Sequence, residues 1–289
     1  MLGHVITGNM TETVYIYLFD VSSLKWNEND VGLPVCTADQ QEPVKTLLET
    51  LPVEAQERLK RITGGVNRSM ALISQVLQRY VFLDVYCPLG IAKNGPNMRD
   101  IVIKTTVTGR RYWDTAATGI DEAVPYDYNV SHHDGIVVVA VRKGDRVGVD
   151  LAVESDFSGQ NLEDIFSKSE LDAVKNGTTT YSQLWSLKES FVKASGLGIS
   201  QILEGLEFIN VHSNKVIPWQ NSQDYTIEVD FNSSYYPRLK QKNLLTIDRF
   251  ISVDLTNHRM LSLCVPNGNT AKFEFKYPTI SDITSFITE

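Results

Sequence analysis

The stretch from residue 184 to residue 199 constrains the fold more than any other part of the chain. Apolar side chains recur in it every three or four residues, which predicts a helix that docks one face on a sheet: Leu184, Leu187 and Phe191. Glu189 and Lys193 lie four residues apart and therefore share a second face, where they can meet one ligand or each other. Gly196 and Gly198 tolerate the left-handed conformation of a C-terminal cap. We therefore predict a helix of about four turns that ends there.

A single acid interrupts an apolar strand earlier in the chain. Residues 147–151 (Val-Gly-Val-Asp-Leu) are apolar except for Asp150, and residues 136–141 form a continuous apolar run typical of a strand buried on both faces. A buried carboxylate needs a partner or a metal ion. An ion pair between Asp150 and Lys188 is one interpretation. The other is that Asp150 and Glu189 hold magnesium, which prefers oxygen ligands and can bridge a pyrophosphate.

A polar segment, residues 129–135 (Asn-Val-Ser-His-His-Asp-Gly), precedes the buried run. Its residue types favour turns, so a hairpin connection explains the segment by itself. In combination with the two carboxylates, however, Ser131, His132 and Lys193 complete a set of side chains suited to phosphate chemistry, because cations neutralise phosphate charge. The pattern leaves both interpretations open.

The N-terminal half contains a predicted strand at residues 14–21 and three predicted helices, at residues 43–51, 53–62 and 68–80. Asn67 is expected to cap the third helix. Four basic residues lie on this helical segment: Arg58, Lys60, Arg61 and Arg68. Such a cluster is most often a solvated face, and a local anion site is the alternative.

Further along, residues 101–108 alternate between apolar and polar and predict a strand that ends at the turn of Gly109 and Arg110. Ser167 and Glu170 have the spacing of a capping box, so we interpret Glu170 as a structural residue at a helix start. In the last third of the chain we predict three strands, at residues 225–231, 249–255 and 260–265. The last two are joined by a hairpin turn at residues 256–259, and a helix at residues 281–288 follows.

Composition excludes several classes of protein. The chain has 289 residues and a net charge of −8, which argues against a general binder of nucleic acid or of membrane surfaces. Its three cysteines lack any paired spacing, so neither disulfides nor a zinc site is expected, and a reducing compartment fits best. No apolar segment approaches the length of a membrane span, and the N-terminus has no basic leader. We expect a cytoplasmic protein of two halves.

Two motifs carry a resemblance to a known family. Gly148-Val149-Asp150, followed 35 residues after the Asp by Trp-Ser-Leu-Lys-Glu-Ser-Phe-Val-Lys at residues 185–193, resembles the two-part signature of the 4′-phosphopantetheinyl transferases. Residues 129–132 resemble the family's Asn-Ile-Ser-His element, and residues 166–170 resemble its Phe-Ser-x-x-Glu element. The length and two-part layout resemble the monomeric surfactin-type branch, and above all its eukaryotic members that activate aminoadipate reductase.

The resemblance implies an α+β fold of two similar α/β subdomains in a pseudo-twofold arrangement. The first would span residues 1–143 and the second, with the metal and catalytic motifs, residues 144–289. The implied activity is transfer of the 4′-phosphopantetheine group of coenzyme A to a serine of an apo carrier protein, with Mg²⁺ as cofactor and adenosine 3′,5′-bisphosphate released. The implied partners are coenzyme A and a carrier domain of the acyl, peptidyl or aminoadipate-reductase type, in a pathway such as lysine biosynthesis.

The resemblance also implies roles for individual residues. Asp150 and Glu189 match the metal-binding carboxylates, and Glu189 also matches the base that deprotonates the acceptor serine. The implied catalytic residues are Glu189, Lys193 and His132. The implied contacts of coenzyme A are Arg58, Arg61, Arg68, Arg110, Ser131, His132 and Lys193.

Two departures from the family pattern bear on these roles. Ala152 stands where bacterial relatives carry a second acid, and Arg110 stands where relatives carry the lysine of Gly-Lys-Pro. Arginine keeps the charge of lysine but not its geometry. Two other functions are therefore weighed: a catalytically silent module that binds coenzyme A or a carrier, and a magnesium-dependent pyrophosphate hydrolase.

Overall fold

The structure is a computed structural model and describes residues 12–24, 38–87, 96–120, 125–196, 206–208, 211, 231–233, 247–255, 259–266 and 271–288. Its α-helices are α1 (Ala38–Glu49), α2 (Val53–Lys60), α3 (Gly65–Tyr86), α4 (Lys168–Lys175), α5 (Tyr181–Ser195) and α6 (Ile280–Thr288). Its strands are β1 (Thr13–Asp20), β2 (Ile103–Thr105), β3 (Arg111–Trp113), β4 (Tyr126–His133), β5 (Ile136–Lys143), β6 (Gly148–Val153), β7 (Leu206–Phe208), β8 (Phe231–Ser233), β9 (Ile247–Asp254), β10 (Arg259–Pro266) and β11 (Lys272–Lys276). Within these residues, no helix combines the length and the hydropathy that crossing a membrane requires.

The first sheet has the strand order β11-β1-β5-β4. β5 pairs antiparallel with both β1 and β4, whereas β11 pairs with β1 in parallel. One face of this sheet packs on α3, whose inward side chains include the fully buried Leu72, Ile73 and Val76. The long helix α3 is therefore held by apolar burial along one side.

The second sheet has the order β6-β10-β9, with antiparallel pairing throughout. α5 covers its outer face and buries the stripe predicted from the sequence, with Leu184, Leu187 and Phe191 at most 1 % exposed. Between the two sheets lies a third apolar layer formed by β1 and β5 on one side and β6, β9 and β10 on the other. The layers thus run α3, first sheet, second sheet, α5.

Both halves share one connectivity. In each, a first strand leads to a helix and then to an antiparallel hairpin whose second strand occupies the centre of the sheet: β1, α3, β4, β5 and β6, α5, β9, β10. The strand orders β1-β5-β4 and β6-β10-β9 correspond position by position. The predicted α+β class with two similar subdomains is confirmed.

The C-terminal segment returns to the first half. The predicted boundary between residues 143 and 144 falls at the end of β5, but β11 extends the first sheet in parallel with β1. α6 then packs on α1 and α3, with Ile283 fully buried in the first core. Residues 271–288, which the sequence analysis assigned to the second subdomain, therefore complete the layer of the first.

Local signals locate some helix ends and miss others. α5 ends as predicted, since Gly196 has a left-handed φ of 69°. The capping box of Ser167 and Glu170 is also confirmed. α3, however, begins before Asn67, with Gly64 (φ 83°) at the N-cap, and continues to Tyr86. The predicted strand at residues 225–230, the turn at 256–258 and Gly198 lie outside the described residues.

Candidate active site

The two sheets meet along a seam between the edge strands β4 and β6. No backbone ladder joins these strands. Side chains at alternate positions of β4 instead accept hydrogen bonds from alternate backbone N–H groups of residues 147–151, which lie in β6 and immediately before it. The seam consists of Asp127 Oδ2 with Val147 N (2.9 Å), Asn129 Oδ1 with Val149 N (2.9 Å) and Ser131 Oγ with Leu151 N (3.3 Å). These side chains satisfy edge N–H groups that burial would otherwise leave unpaired. Residues 129–133 are thus part of a strand, and the predicted hairpin turn is confined to Asp134 and Gly135.

Asp150 lies at the centre of this seam. The residue is 5 % exposed, and its Oδ1 accepts hydrogen bonds from Ser131 Oγ (2.9 Å) and Lys193 Nζ (2.5 Å). Lys193 also donates to Ser131 Oγ at 3.1 Å. Three residues that the sequence placed in one site therefore touch one another, and the partner of Asp150 is Lys193.

A glycine brings the helix that carries Lys193 close to β6. A Cβ atom built on Gly148 would lie 1.9 Å from the carbonyl oxygen of Ser190 and 2.6 Å from the backbone nitrogen of Ala194. No residue larger than glycine fits there without moving α5. Further along the helix, Ser186 Oγ bonds Ser262 Oγ on β10 at 2.7 Å, with both residues fully buried. These contacts set the height and rotation of α5 above the sheet.

Lys188 has a structural role in this arrangement. The interpretation that it forms an ion pair with Asp150 is wrong. Its Nζ lies 3.0 Å from Glu170 Oε2, and both side chains are at most 1 % exposed. Glu170 also accepts hydrogen bonds from the backbone N–H groups of Phe208 (2.9 Å) and Ser167 (2.8 Å). Burial lowers the pKa of Lys188, and the charge of Glu170 opposes that shift. The pair joins α4, α5 and β7.

Glu189 adds a second carboxylate on the face of α5 that carries Lys193. Burial raises the pKa of its carboxyl, the charge of Asp150 raises it further, and Lys193 opposes the shift. The two acids therefore act on one another across the space between β6 and α5. Two carboxylates beside one ammonium leave an excess of negative charge on oxygen donors, which fits a magnesium ion that completes its shell with water.

In the part of the chain that the structure describes, no third acid joins these two carboxylates. Among the described residues, no group of three or more His, Cys, Asp or Glu side chains is placed to bind a metal. Ala152 contributes no ligand, and the next acid, Glu154, is used at the start of α5, where it accepts from Tyr181 N (3.3 Å) and Ser182 N (2.8 Å). The acid missing at Ala152 is therefore not replaced by Glu154.

A cleft of about 330 Å³ opens beside the seam. It is lined by residues of α3, the turn between β2 and β3, β4 and the end of α5, among them Ser74, Gly109, Arg110, Arg111, Asn129, His132 and Lys193. His132 keeps much of its surface exposed, but the cleft walls withdraw water from the ring. This desolvation lowers the pKa of His132, and the charges of Lys193 and then Arg111 lower it further. A neutral imidazole thus stands in a positively charged cleft.

Arg110 and Arg111 play different parts in the cleft wall. Arg110 donates to Asp127, to the carbonyl oxygen of Lys193 and to that of Val147 (3.0 Å), so its guanidinium joins the turn to both halves. Arg111 also lines the cleft, and its nearest described acceptor is Gln78 Oε1 at 3.4 Å. Of the predicted basic contacts of coenzyme A, Arg110 and Lys193 line the cleft. Arg111 was not predicted, and its only signal in the sequence was its place in the same turn.

The remaining predicted basic contacts lie apart from the described lining of the cleft. Arg58 and Arg61 are exposed at the end of α2. Arg68 is buried on α3 and donates to the carbonyl oxygen of Ile62 through Nε (3.0 Å) and Nη2 (2.8 Å). Their predicted role in binding coenzyme A stays a prediction.

Family comparisons cover both halves of the chain. Residues 38–144 match the family model described as "4'-phosphopantetheinyl transferase, N-terminal", and residues 146–246 match the one described as "4'-phosphopantetheinyl transferase superfamily". The chain belongs to the 4′-phosphopantetheinyl transferase superfamily. The second matched segment contains the seam strand β6 and the helix α5, and hence Asp150, Glu189 and Lys193.

Individual relatives within this superfamily are distant. The L-aminoadipate-semialdehyde dehydrogenase-phosphopantetheinyl transferase of Saccharomyces cerevisiae is 20 % identical over 254 residues, which is 83 % of this chain and 80 % of that protein. The human protein of that name is 30 % identical over 105 residues, 30 % of this chain and 34 % of its own length. A phosphopantetheinyl transferase of Thraustochytrium sp. is 26 % identical over 176 residues, 55 % of this chain and 57 % of that protein. The chain thus spans most of the yeast relative but about a third of the human one.

Proposed function

We propose that the chain transfers the 4′-phosphopantetheine group of coenzyme A to a serine hydroxyl of an apo carrier domain and releases adenosine 3′,5′-bisphosphate. The observation that carries this proposal is the contact of Asp150, Ser131 and Lys193 beside a second carboxylate, Glu189, at the edge of an open cleft. Because the chain belongs to the superfamily, we assign the transfer of phosphopantetheine to that set of residues.

In this proposal the cleft receives coenzyme A, whose phosphates need local positive charge on a chain of net charge −8. Lys193 and Arg111 supply it from the lining of the cleft, where His132 adds a polar group, and Ser131 lies in contact with Lys193. A charged donor to phosphate forms shorter and stronger hydrogen bonds than a neutral one. Arg110 acts by holding the cleft wall, because its guanidinium is bonded to protein groups.

Asp150 and Glu189 are the residues that would hold magnesium. When bound, the ion would draw negative charge from the pyrophosphate. Lys193 already bonds Asp150 and lies one turn from Glu189, so it can carry a phosphate contact while neutralising the carboxylates. Glu189 has no hydrogen-bond partner among the described residues, which leaves its carboxylate available to a substrate hydroxyl.

The reaction that follows balances without a covalent enzyme intermediate. The oxygen of the carrier serine forms a bond to the phosphorus that bears the pantetheine arm, and the bond from that phosphorus to the bisphosphate oxygen breaks. The serine proton passes to Glu189, whose raised pKa makes it a stronger base than an exposed glutamate. The bisphosphate leaves with the bonding electron pair.

The names of the yeast and human relatives point to one carrier class. They are named for L-aminoadipate-semialdehyde dehydrogenase, so we propose that this chain serves a carrier domain of that kind. The test is to incubate the purified chain with coenzyme A, magnesium and the apo carrier domain, and to measure the carrier mass. A carrier whose acceptor serine is replaced by alanine serves as the control.

We expect the carrier, but not its control, to gain the mass of one phosphopantetheine group, and EDTA to abolish the gain. Binding of coenzyme A that is indifferent to magnesium, without any mass gain, would instead identify a silent binding module. Release of adenosine 3′,5′-bisphosphate in the absence of a carrier would identify a hydrolase.

A further inference from the structure

The carbonyl groups at the end of α5 are bound by side chains from outside the helix. The last carbonyl groups of an α-helix have no hydrogen-bond partner within the helix itself. Arg110, in the turn before β3, donates to the carbonyl oxygen of Lys193. Arg146, shortly before β6, donates through Nη1 to the carbonyl oxygens of Ala194 (3.4 Å) and Ser195 (2.6 Å). Two guanidinium groups thus bind three successive carbonyl groups of the last turn.

The backbone of Arg146 is held in place independently of that contact. Its N–H donates to Asp145 Oδ1 (2.7 Å), and its carbonyl oxygen accepts from Nη1 of the fully buried Arg142 (3.3 Å). The residue itself is exposed, and its guanidinium lies directly over the helix end, since a Cβ atom built on Gly196 would lie 3.3 Å from Nη1. A fixed backbone therefore supports a cation that covers the end of α5.

We propose that Arg146 is a positioning residue that holds the last turn of α5, and with it Lys193, against β6, an inference that rests on the proposed function. A positive charge at the C-terminus of a helix compensates the negative end of the helix dipole, which opposes fraying of the last turn. Lys193 lies in that turn, and its Nζ reaches Asp150 on β6. Arg146 thus joins the start of the strand that carries the acid to the helix that carries the ammonium.

Three variants separate this role from a general loss of charge. Arg146→Met removes the guanidinium, and we expect it to fold because the side chain is exposed. Arg146→Lys keeps the charge but not the planar fork of donors. Lys143→Met is the matched control, because it removes a positive charge three residues earlier, where Nζ lies 5.4 Å from the centre of the Tyr126 ring.

The first measurement is amide hydrogen exchange, followed by mass spectrometry in the absence of substrate. For Arg146→Met we expect exchange at the end of α5 to be about threefold to fivefold faster, the size of a charge–dipole interaction at a helix end. Exchange in α3 should be unchanged, and Lys143→Met should match the wild type in both helices. Unchanged exchange at the end of α5 in Arg146→Met overturns the inference, whether or not the chain binds coenzyme A.

The second measurement is calorimetric binding of coenzyme A in the presence of magnesium. A turn that is correctly placed for only part of the time binds more weakly in proportion, so the dissociation constant of Arg146→Met should also rise by about threefold to fivefold. Arg146→Lys should recover at least part of this loss, and Lys143→Met should bind as the wild type does. No recovery in Arg146→Lys would overturn the inference.

A double-variant cycle with Lys193→Met tests whether Arg146 acts through Lys193. If it does, Arg146→Met should leave the affinity of Lys193→Met for coenzyme A unchanged, because the side chain that it positions is already absent. An equal loss of affinity in both backgrounds would overturn the inference. Absence of coenzyme A binding to the wild-type chain, with the hydrogen exchange as expected, would refute the proposed function instead, so the two failures are distinguishable.

Discussion

The two halves of the molecule share a connectivity but divide the chemistry between them. The first strand of the first half, β1, is buried and apolar through its centre, whereas the matching strand of the second half, β6, carries Asp150. The helices differ similarly, since α3 packs a long apolar side on its sheet while α5 also presents Glu189 and Lys193. The first half instead contributes β4, whose side chains hold β6 and line the cleft. In the proposed function, a repeated scaffold thus provides the reactive groups from one copy and the positioning groups from the other.

The largest expected effect comes from removing Glu189, the carboxylate of the second half that we propose as the base. Glu189→Gln keeps the size of the side chain and removes its ability to accept the serine proton. Loss of a general base typically costs about 10²- to 10⁴-fold in rate. We expect kcat, measured as carrier mass gain over time, to fall in that range. Glu54→Gln makes the same chemical change on the exposed face of α2 in the first half and should leave kcat unchanged. A loss of less than threefold in Glu189→Gln would remove Glu189 from the mechanism.

The second prediction compares ion pairs of the two halves. Lys188→Met leaves the Glu170 carboxylate buried without its counter-charge, which should cost about 3–5 kcal/mol of unfolding free energy. In the first half, both side chains of the Lys60–Glu57 pair are more than half exposed, so Lys60→Met should change the unfolding free energy far less than Lys188→Met does. Urea unfolding measures both.

A double variant tests whether the cost in Lys188→Met comes from the unpaired charge. Adding Glu170→Gln removes that charge and should restore part of the lost stability. If Glu170→Gln lowers the unfolding free energy of Lys188→Met as much as it lowers that of the wild type, the two residues stabilise the fold independently.

Local sequence patterns predicted the elements but not their contacts across the two halves. The apolar stripe of α5 and its end at Gly196 follow from residues within one helix, and the structure confirms both. The pairing of Lys188 with Glu170 depends on where α4 packs, and spacing along the chain carries no information about that. The seam could not be predicted for the same reason, because side chains such as Asn129 accept hydrogen bonds from backbone N–H groups of a strand in the other sheet.

The candidate site was predictable to a similar extent. Asp150, Ser131 and Lys193 were expected in one site and touch one another. The predicted contact of Arg110 with coenzyme A stays a prediction, because the sequence does not tell which of two adjacent arginines in a turn finds protein acceptors. Both arginines line the cleft, but Arg110 donates to Asp127 and to backbone carbonyl groups, whereas the described acceptor of Arg111 is Gln78 Oε1.

The smallest expected effect concerns His132, where residues of different elements act on one ring of β4. Desolvation and the charges of Lys193 and Arg111 lower its pKa in the folded chain, so the native state binds the proton less readily than the unfolded state, where the pKa is about 6.5. The neutral ring therefore contributes stability above pH 6.5 that is lost as the pH falls through that value toward the lower folded pKa. His132→Gln should lack this loss, so its unfolding free energy, followed by urea titration from pH 8 to pH 5, should decline less than that of the wild type. Arg111→Met should narrow the difference between the pH profiles with and without His132, because it removes one of the charges that lower the pKa of the imidazole. Parallel pH profiles for wild type and His132→Gln would show that the cleft does not act on this imidazole.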